Sequence, residues 1–580
     1  FGLYPGSMEE KWSVRSPDPE QMASLTTALG CHRVVAAVLI NRGFRTPDDA
    51  ARFLHPSLAY IRSPFLIKDM DRAVSRILLA LRHREKVLIF GDYDVDGMTA
   101  TALLLDFLTY LGMDVDYYIP DRLTEGYGLR PESVGKEAIA RHITLIITVD
   151  CGITSHEAVR LASRAGIDVI ITDHHETPPA PPEALAILNP KQPDCPSGLR
   201  GLAGVGVAFN LVLALRKSLR DQGFWETQPE PNLKAACDLV ALGTVADMVP
   251  LLEENRIYVK VGLEVLANAA RPGVKALLDV CEMTGEAVGS RDVAFKLAPR
   301  LNAAGRLGHA SVGCELLTTS SHKTAQTIAK ELDGENNRRQ DIERDILADI
   351  DRRLEANPRL LQESLVLEQQ GWHEGVIGIV ASRLVNRYGR PVVLIAVAGG
   401  RGKGSARSPE GFNLFEALKD SAQYLENFGG HAAAAGLTLM AENIPDFQKH
   451  FEKVVCKTAT TRDLIPKRHM DMEIAPAEIC PKLADELEKL APFGMGHPEP
   501  LFMLSNLDVI SARIVGGTHM QMRLRPSGNT DLAPLQAICF NMGAEKPPPE
   551  AFHRVACHIR WNRWRHHKTI QLVIRDFVPA

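Results

Sequence analysis

From about Glu85 to Pro190 the chain repeats one unit: a short apolar run, a turn, then a segment with helical spacing. The apolar runs are 87–90, 115–119, 143–149 and 168–172, and the helical segments 99–111, 131–141 and 155–165 alternate with them. Strands alternating with helices build βαβ units and hence a parallel sheet, whose strand ends share one edge. A proline-rich stretch, 178–196, reads as a surface loop, and 204–219 and 233–246 read as buried helices that close the domain.

At 580 residues the chain exceeds one hydrophobic core. Segment 322–357 is highly charged, with apolar residues at Ile328, Leu332, Ile342, Ile346, Ile350 and Leu354. It reads either as one connecting helix of roughly 50 Å or as two helices broken near Gly334. A second α/β region follows, with strands near 364–367 and 392–397 and glycine-dense segments at 399–407 and 429–436. After a helix at 482–490, the short β runs 521–525, 535–540, 554–560 and 569–576 suggest a small barrel of the OB type.

The expected architecture is therefore α/β: an N-terminal segment 1–50, a parallel-sheet domain 51–320, a connecting helix 321–357, a second α/β domain 358–460 and an OB-like domain 461–580. Phe1 to Ser7, ahead of Met8, look like an expression-tag remnant and are set aside.

With 45% hydrophobic and 24% charged residues the composition is globular, which excludes collagenous, coiled-coil and disordered chains. No apolar stretch reaches membrane-spanning length and no leader is evident, so a soluble, cytoplasmic protein is expected. Ten cysteines are scattered without a Cys-x-x-Cys pair, which fits a reducing compartment and no zinc ribbon. The net charge of −5 restricts any nucleic-acid binding to local patches.

The sharpest chemical signal is Gly91-Asp92-Tyr93-Asp94-Val95-Asp96-Gly97, an alternating acidic run directly after a strand. Asp-x-Asp-x-Asp-Gly also opens a calcium loop, but the twelfth position here is Leu103 rather than Glu, and a strand precedes it. Like charges this close repel unless a cation neutralises them, so a metal site at the sheet edge is preferred to a solvated acidic turn. Asp150 ends the run Ile146-Ile147-Thr148-Val149, and Asp173-His174-His175 end the next strand. Each alone would be an ordinary strand-end polar group; βαβ topology brings them to one edge. Asp247, after the apolar helix, is a further candidate or simply a helix-end charge. Carboxylates with imidazole and no thiolate suit Mn²⁺ or Mg²⁺. More than three carboxylates suggest two ions, which together stabilise attacking and leaving oxygens in phosphoester hydrolysis.

These motifs, with Gly243-Thr244-Val245-Ala246-Asp247, resemble the four motifs of the DHH phosphoesterases, and Gly429-Gly430-His431-Ala432-Ala433-Ala434-Ala435-Gly436 resembles the signature of the associated DHHA1 domain. The segment Pro299-Arg300-Leu301-Asn302-Ala303-Ala304-Gly305-Arg306-Leu307-Gly308 and the C-terminal β domain are similar to those of the family's single-strand-specific 5′→3′ DNA exonucleases. The resemblance implies metal ligation by Asp94, Asp96, Asp150, His174 and Asp247, with Asp92 and His175 nearby or alternative. Asp94, Asp96, Asp150, His174 and His175 form the implied catalytic set, Asp150 bridges the ions, and Asp173 orients a histidine.

Several residues are candidates for holding a DNA strand. Arg306 lies among small residues and reads as a phosphate contact or a structural ion pair. In the related enzymes the segment matching Ser405 and Arg407 grips the nucleic-acid backbone; Ala406 stands where glycine is expected, which questions the turn there. His431 would contact phosphate or cap a helix. Tyr127, between two glycines, reads as a stacking platform or a packed tyrosine, and Arg122 as a phosphate contact. Arg560-Trp561-Asn562-Arg563-Trp564-Arg565-His566-His567-Lys568 carries no acid and reads as a single-strand groove using Arg563 and Arg565, or as a turn above core tryptophans.

The resulting expectation is a metal-dependent exonuclease acting on single-stranded DNA in repair and recombination, monomeric, with single-strand-binding protein and a helicase as collaborators. Two alternatives are a DHH phosphodiesterase of short oligonucleotides or cyclic dinucleotides, and a non-catalytic replication scaffold. The extra β domain counts against the first, and the full ligand set against the second.

Overall fold

The computed structural model describes residues 11–122, 124–458, 467–528, 532–542, 549–564 and 567–580. The chain divides into two compact units. One comprises Arg52–Arg338 with Ala491–Pro498; the other comprises the N-terminal 51 residues, Arg339–Leu490 and Glu499–Ala580.

The first unit is built on a five-stranded, all-parallel sheet of β1 (Lys86–Gly91), β2 (Asp114–Tyr118), β3 (Leu145–Val149), β4 (Asp168–Thr172) and β5 (Ala186–Leu188), in the order β2-β1-β3-β4-β5. Alternate strand residues face opposite sides. Val87, Ile89 and Ile147 join one apolar cluster, shared with helices α1 (Val95–Tyr110), α3 (Gly204–Asp221) and α4 (Cys237–Ala246). Leu88, Phe90 and Ile146 join another, with α2 (His156–Arg164). Helices thus cover both faces, and the central strands β1, β3 and β4 are almost wholly apolar, as a doubly wound sheet requires, while the edge strand β2 is half-buried and carries Asp114 and Asp116. The order reverses between β1 and β3, and in such sheets the crevice beyond the strand ends at the reversal is where ligands bind.

The stretch 178–196, expected as a surface loop, contains β5. It is buried and pairs with β4, because Ala186-Ile187-Leu188 supplies a short apolar edge between prolines. Segment 131–141 is helical, with an α-turn at Pro131–Ser133 and a π-helical turn at Val134–Ile139. Helices α5 (Glu253–Asn268) and α6 (Ala298–Leu307) complete the part of this unit used below.

Helix α7 (His322–Ala356) runs unbroken through Gly334 for 35 residues. At 1.5 Å per residue it is about 52 Å long. A side chain at Gly334 would meet nothing, so this glycine costs only intrinsic helix propensity, which adjoining packed turns outweigh.

In the second unit, β6 (Leu365–Gln370), β7 (Val392–Ala398), β8 (Arg401–Arg407), β9 (Asn427–Gly430) and β10 (Ala434–Met440) form a sheet ordered β9-β10-β8-β7-β6. Only β6 and β7 pair in parallel. Most of each glycine-dense segment is therefore strand, with turns at Gly399–Gly400 and at 431–433. Helix α8 (Ile377–Tyr388) links β6 to β7.

Helix α9 (Pro481–Lys489) precedes the C-terminal barrel. The barrel contains β11 (Met472–Glu473), β12 (Phe502–Val515), β13 (His519–Pro526), β14 (Leu535–Cys539), β15 (Ala551–Trp564) and β16 (His567–Pro579). Pairing of β12 with both β13 and β15 closes five strands into the expected OB-type barrel. Among the described residues no single helix is long and apolar enough to cross a membrane.

Candidate functional site

The acidic run begins where β1 ends. Asp94 is the N-cap of α1: its Oδ1 accepts from the amides of Asp96 and Gly97 at 3.0 and 3.1 Å. Asp96 then lies in the first turn of a helix, an arrangement no calcium loop has. Its two oxygens accept from Gly204 and Val205 N–H at 2.6 and 2.8 Å, at the N-terminus of α3. Asp150 follows β3 in a left-handed conformation, φ 61°. It packs on Gly204, where a Cβ would come within 2.7 Å of Asp150 Oδ1. Asp173, His174 and His175 follow β4, and Asp247 follows α4.

These groups converge. His174 Nε2 lies 3.0 Å from Asp150 Oδ1, 3.6 Å from Asp247 Oδ2 and 3.8 Å from Asp96 Oδ2. Asp92, Asp94 and Asp150 form one set of donor atoms mutually within 4.8 Å; Asp96, His174 and Asp247 form another. Asp150, His174 and His175 form a third set, so Asp150 and His174 are each shared. Asp92 Oδ1, Asp150 Oδ1, both His174 ring nitrogens and Asp247 Oδ2 are buried without a hydrogen-bond partner among the described residues. The close approach of His174 and Asp150 therefore lacks hydrogen-bond alignment; both aim at common space. Orphaned buried acceptors are costly, and a cation is the natural partner for this many.

The electrostatics agree. Burial first, then the neighbouring carboxylates, push Asp92 and Asp150 well above the usual carboxylate range, Asp96 to about 7 and Asp247 to about 9. Burial and then the nearby His175 hold His174 down, to about 3, so its imidazole is neutral, as a metal ligand must be. Asp173 is different. It accepts from Ile153 N–H at 2.9 Å, His174 N–H at 2.7 Å, His175 N–H at 3.0 Å and His175 Nδ1 at 2.8 Å. Burial would raise it, but the His175 contacts bring it to about 2. His175, which burial would lower, is raised to about 9 by the same carboxylate. The donors fit hard or borderline divalent ions, and Asp150 belongs to two of the three donor sets.

The strand-holding candidates fare unevenly. Tyr127 is exposed, and its hydroxyl is anchored: it donates to Asp150 O at 3.2 Å and lies 3.1 Å from His175 Nδ1. The ring is edge-on to His175 and Tyr93. Arg122 stacks over Tyr93 at 5.1 Å. Arg306 lies on α6, which also presses Gly305 onto the Tyr93 carbonyl and sets Asn302 Oδ1 3.2 Å from Val95 N–H. In the second unit, Ser405 and Arg407 lie on β8, not in a turn, and Ala406 points into the core. They meet the first turn of α8, where a Cβ on Gly378 would come within 2.8 Å of Ser405 Oγ and 3.1 Å of Arg407 Nη2. His431 caps no helix; it is exposed in the link between β9 and β10.

The described cations of the basic hairpin are paired with carboxylates. Arg563 makes two bonds to Glu488 at 2.6 and 2.7 Å, and Lys568 pairs with Asp485 at 2.8 Å. Arg560 pairs with Glu499. Trp561 is not in the core; its indole donates to Asp485 at 2.9 Å and Lys568 stacks on it at 4.0 Å. The segment is acid-free in sequence, but α9 brings Asp485 and Glu488, and Glu499 follows that helix. Arg565 lies outside the described residues. A different basic face was missed. On β12 and β13, Arg513 and Arg523 point outward, opposite Gln521 and Ser511. Both are exposed and neither makes an ion pair among the described residues. The signal was present: in Met520-Gln521-Met522-Arg523-Leu524-Arg525 the buried and polar residues alternate strictly.

A sheet with its carboxylates and histidines at the reversal point defines a metal-dependent phosphoesterase of the DHH class, and domain models agree. Residues 86–244 match the DHH family N-terminal domain, 359–457 the DHHA1 domain and 470–576 the RecJ OB domain. The single-stranded-DNA-specific exonuclease RecJ of Escherichia coli is 37% identical, covering 99% of this chain and 100% of its own. That of Bacillus subtilis is 38% identical, covering 98% and 70%. The crystal structure of RecJ in complex with Mn²⁺ from Thermus thermophilus superposes with a TM-score of 0.83 at 32% identity, covering 98% of this chain and 80% of that one. The corresponding Mg²⁺ complex gives 0.77 at 30% identity, covering 98% and 78%. The chain belongs to the RecJ family.

Proposed function

We propose that this protein is a divalent-metal-dependent exonuclease that hydrolyses single-stranded DNA from its 5′ end. The observation that carries the reading is the set of buried, unpartnered carboxylate and imidazole atoms around Asp150 and His174, on a chain whose full-length relatives are named for that activity. Asp92, Asp94, Asp96, Asp150, His174 and Asp247 would hold the Mn²⁺ or Mg²⁺ ions, with Asp150 belonging to two of the donor sets. When bound, such ions supply Lewis acidity and lower the pKa of water. Asp94 and Asp96 are held by helix N-termini, so the ligand cage is set before substrate arrives. Asp173 fixes the His175 ring through Nδ1, which leaves Nε2 for a phosphate oxygen. Tyr127 buttresses that ring and Arg122 braces Tyr93.

In the first unit Arg306 takes a backbone phosphate, and in the second Ser405, Arg407 and His431 do. On the barrel the grip belongs to Arg513 and Arg523 rather than to Arg563, whose charge is already matched. Residues 51–320, 358–460 and 461–580 serve as the catalytic, DHHA1 and OB domains, joined through 321–357. The protein acts in the cytoplasm as a monomer in repair and recombination, beside single-strand-binding protein and a helicase. Release of nucleotides from long single strands labelled at either end, with and without Mn²⁺, tests the reading. Loss from the 5′ label first, only with metal, supports it; metal-independent release or release from the 3′ label overturns it.

A further inference from the structure

Asp247, like Asp92 and Asp150, has a buried carboxylate oxygen without a hydrogen-bond partner among the described residues. Asp94, Asp96 and Asp173 are each pinned by backbone amides. Among the described residues none donates a hydrogen bond to the Asp247 carboxylate, and its Oδ2 is buried without a partner. Its position therefore depends on the turn that carries it, residues 247–252. That turn is strained: Met248 has φ 60° and Glu253, where α5 starts, has φ 47°, both left-handed without being glycine. Such conformations persist only where surrounding contacts over-determine them.

Leu251 N–H donates to Met495 O at 2.9 Å, and Asn255 supplies the side-chain contact that links this turn to the grip on Asp96. Asn255 is 2% exposed, in the first turn of α5. Its Nδ2 donates to Pro250 O at 3.0 Å, three residues after Asp247, and to Gly201 O at 2.6 Å, three residues before Gly204. Gly204 and Val205 are the amides that grip Asp96. One side-chain amide thus ties the turn bearing Asp247 to the turn whose amides hold Asp96, and its two hydrogens are both used. The amide oxygen is buried without a partner, so the orientation is set entirely by the two carbonyls. An acceptor at this position would face two carbonyl oxygens at hydrogen-bond distance, and an apolar group would orphan both.

We propose that Asn255 is a positioning residue for the metal centre, setting the separation of Asp247 from Asp96 and hence the affinity of the ion they share with His174. The inference rests on the metal reading above. Its test is calorimetric titration of Mn²⁺ into the metal-free full-length protein, comparing the parent with Asn255→Asp, Asn255→Ala and Asp247→Asn, with melting curves to show folding. Residues that orient ligands typically contribute 10–100-fold to metal affinity, so Asn255→Asp should weaken Mn²⁺ binding by about that factor. The Mn²⁺ concentration for half-maximal strand cleavage should rise in parallel, while kcat at saturating Mn²⁺ recovers to near the parent value. A merely structural role would lower the melting temperature and leave metal affinity alone. If Asn255→Asp does not fold, Asn255→Ala, which adds no charge and only removes atoms, carries the test. Folded Asn255 variants that bind Mn²⁺ within about twofold of the parent overturn the inference. Unchanged binding in Asp247→Asn would instead overturn the assignment of Asp247 as a ligand.

Discussion

Two charged clusters in this molecule invite opposite conclusions. At the strand ends, carboxylates and a neutral histidine crowd together, and several of their buried atoms have no partner among the described residues. At the barrel hairpin, Arg560, Arg563 and Lys568 are dense in sequence, yet each meets a carboxylate from its own unit. The first cluster is electrostatically incomplete and calls for a ligand of opposite charge. In the second, each of the described cations Arg560, Arg563 and Lys568 already has a carboxylate partner. Charge density along a sequence does not distinguish them; charge compensation in the fold does.

The largest effect should come from breaking the incomplete cluster at its shared member. Asp150→Ala removes an oxygen common to two ligand sets. Since even orienting residues cost 10–100-fold, turnover should fall by more than about 100-fold, measured as nucleotide release in protein shown to be folded. The repulsion of Asp96, Asp94, Asp92 and Asp247 with Asp150 is also removed, so the metal-free variant should melt no lower than the parent. Activity within a few-fold of the parent would exclude Asp150 from the site.

Filling the cluster should produce the next effect. A ligand that binds only the folded state at 100 times its dissociation constant stabilises it by about 2.7 kcal/mol. Mn²⁺ should raise the stability of the metal-free protein by about this amount, read by denaturant unfolding, and a chelator should reverse it. Asp150→Ala should show little of this gain. An equal gain in both proteins would place the ion elsewhere.

What the sequence disclosed follows the same division. The metal cluster was legible because βαβ repetition forces strand ends to one edge, so the runs ending in Asp92, Asp150 and Asp173 could be placed together without coordinates. Asp247 needed the family resemblance, since a helix end carries no such constraint. Asn255 was invisible: its role depends on two carbonyls from turns 49 residues apart, Gly201 and Pro250, and carbonyls leave no mark in sequence. The strand β5 was hidden by flanking prolines. The hairpin misled because Asp485 and Glu488 lie more than 70 residues upstream, on a helix whose packing is tertiary.

Smaller effects separate the two basic surfaces of the barrel. Each phosphate contact on a single strand contributes about 0.7 to the log–log salt slope. Arg513→Ala with Arg523→Ala should lower that slope by up to about 1.4 on long strands, while cleavage of a dinucleotide changes little. A damaged catalytic unit would lose both activities, so the comparison also guards against misfolding. An unchanged slope would remove this face from the strand's path.

The smallest effect is expected where the sequence looked richest. Arg563 is about half exposed and bonded through both terminal nitrogens to Glu488, itself partly exposed. To contact a phosphate it would have to leave that carboxylate, exchanging one charge-assisted pair for another in solvent, with little net gain. Exposed ion pairs contribute about 0.2–1 kcal/mol, so Arg563→Ala should lower stability by no more than about 1 kcal/mol. The salt slope on long strands should stay within about 0.3 of the parent, below half of one phosphate contact. Glu488→Gln sharpens the point. It frees Arg563 without removing it, so a steeper slope in that variant would show a cation held in reserve by its partner. An unchanged slope in both variants leaves the pair as a tie between β15 and α9. A slope that falls by about 0.7 in Arg563→Ala would break the comparison, because a charge already compensated within the fold would then be serving the strand as well.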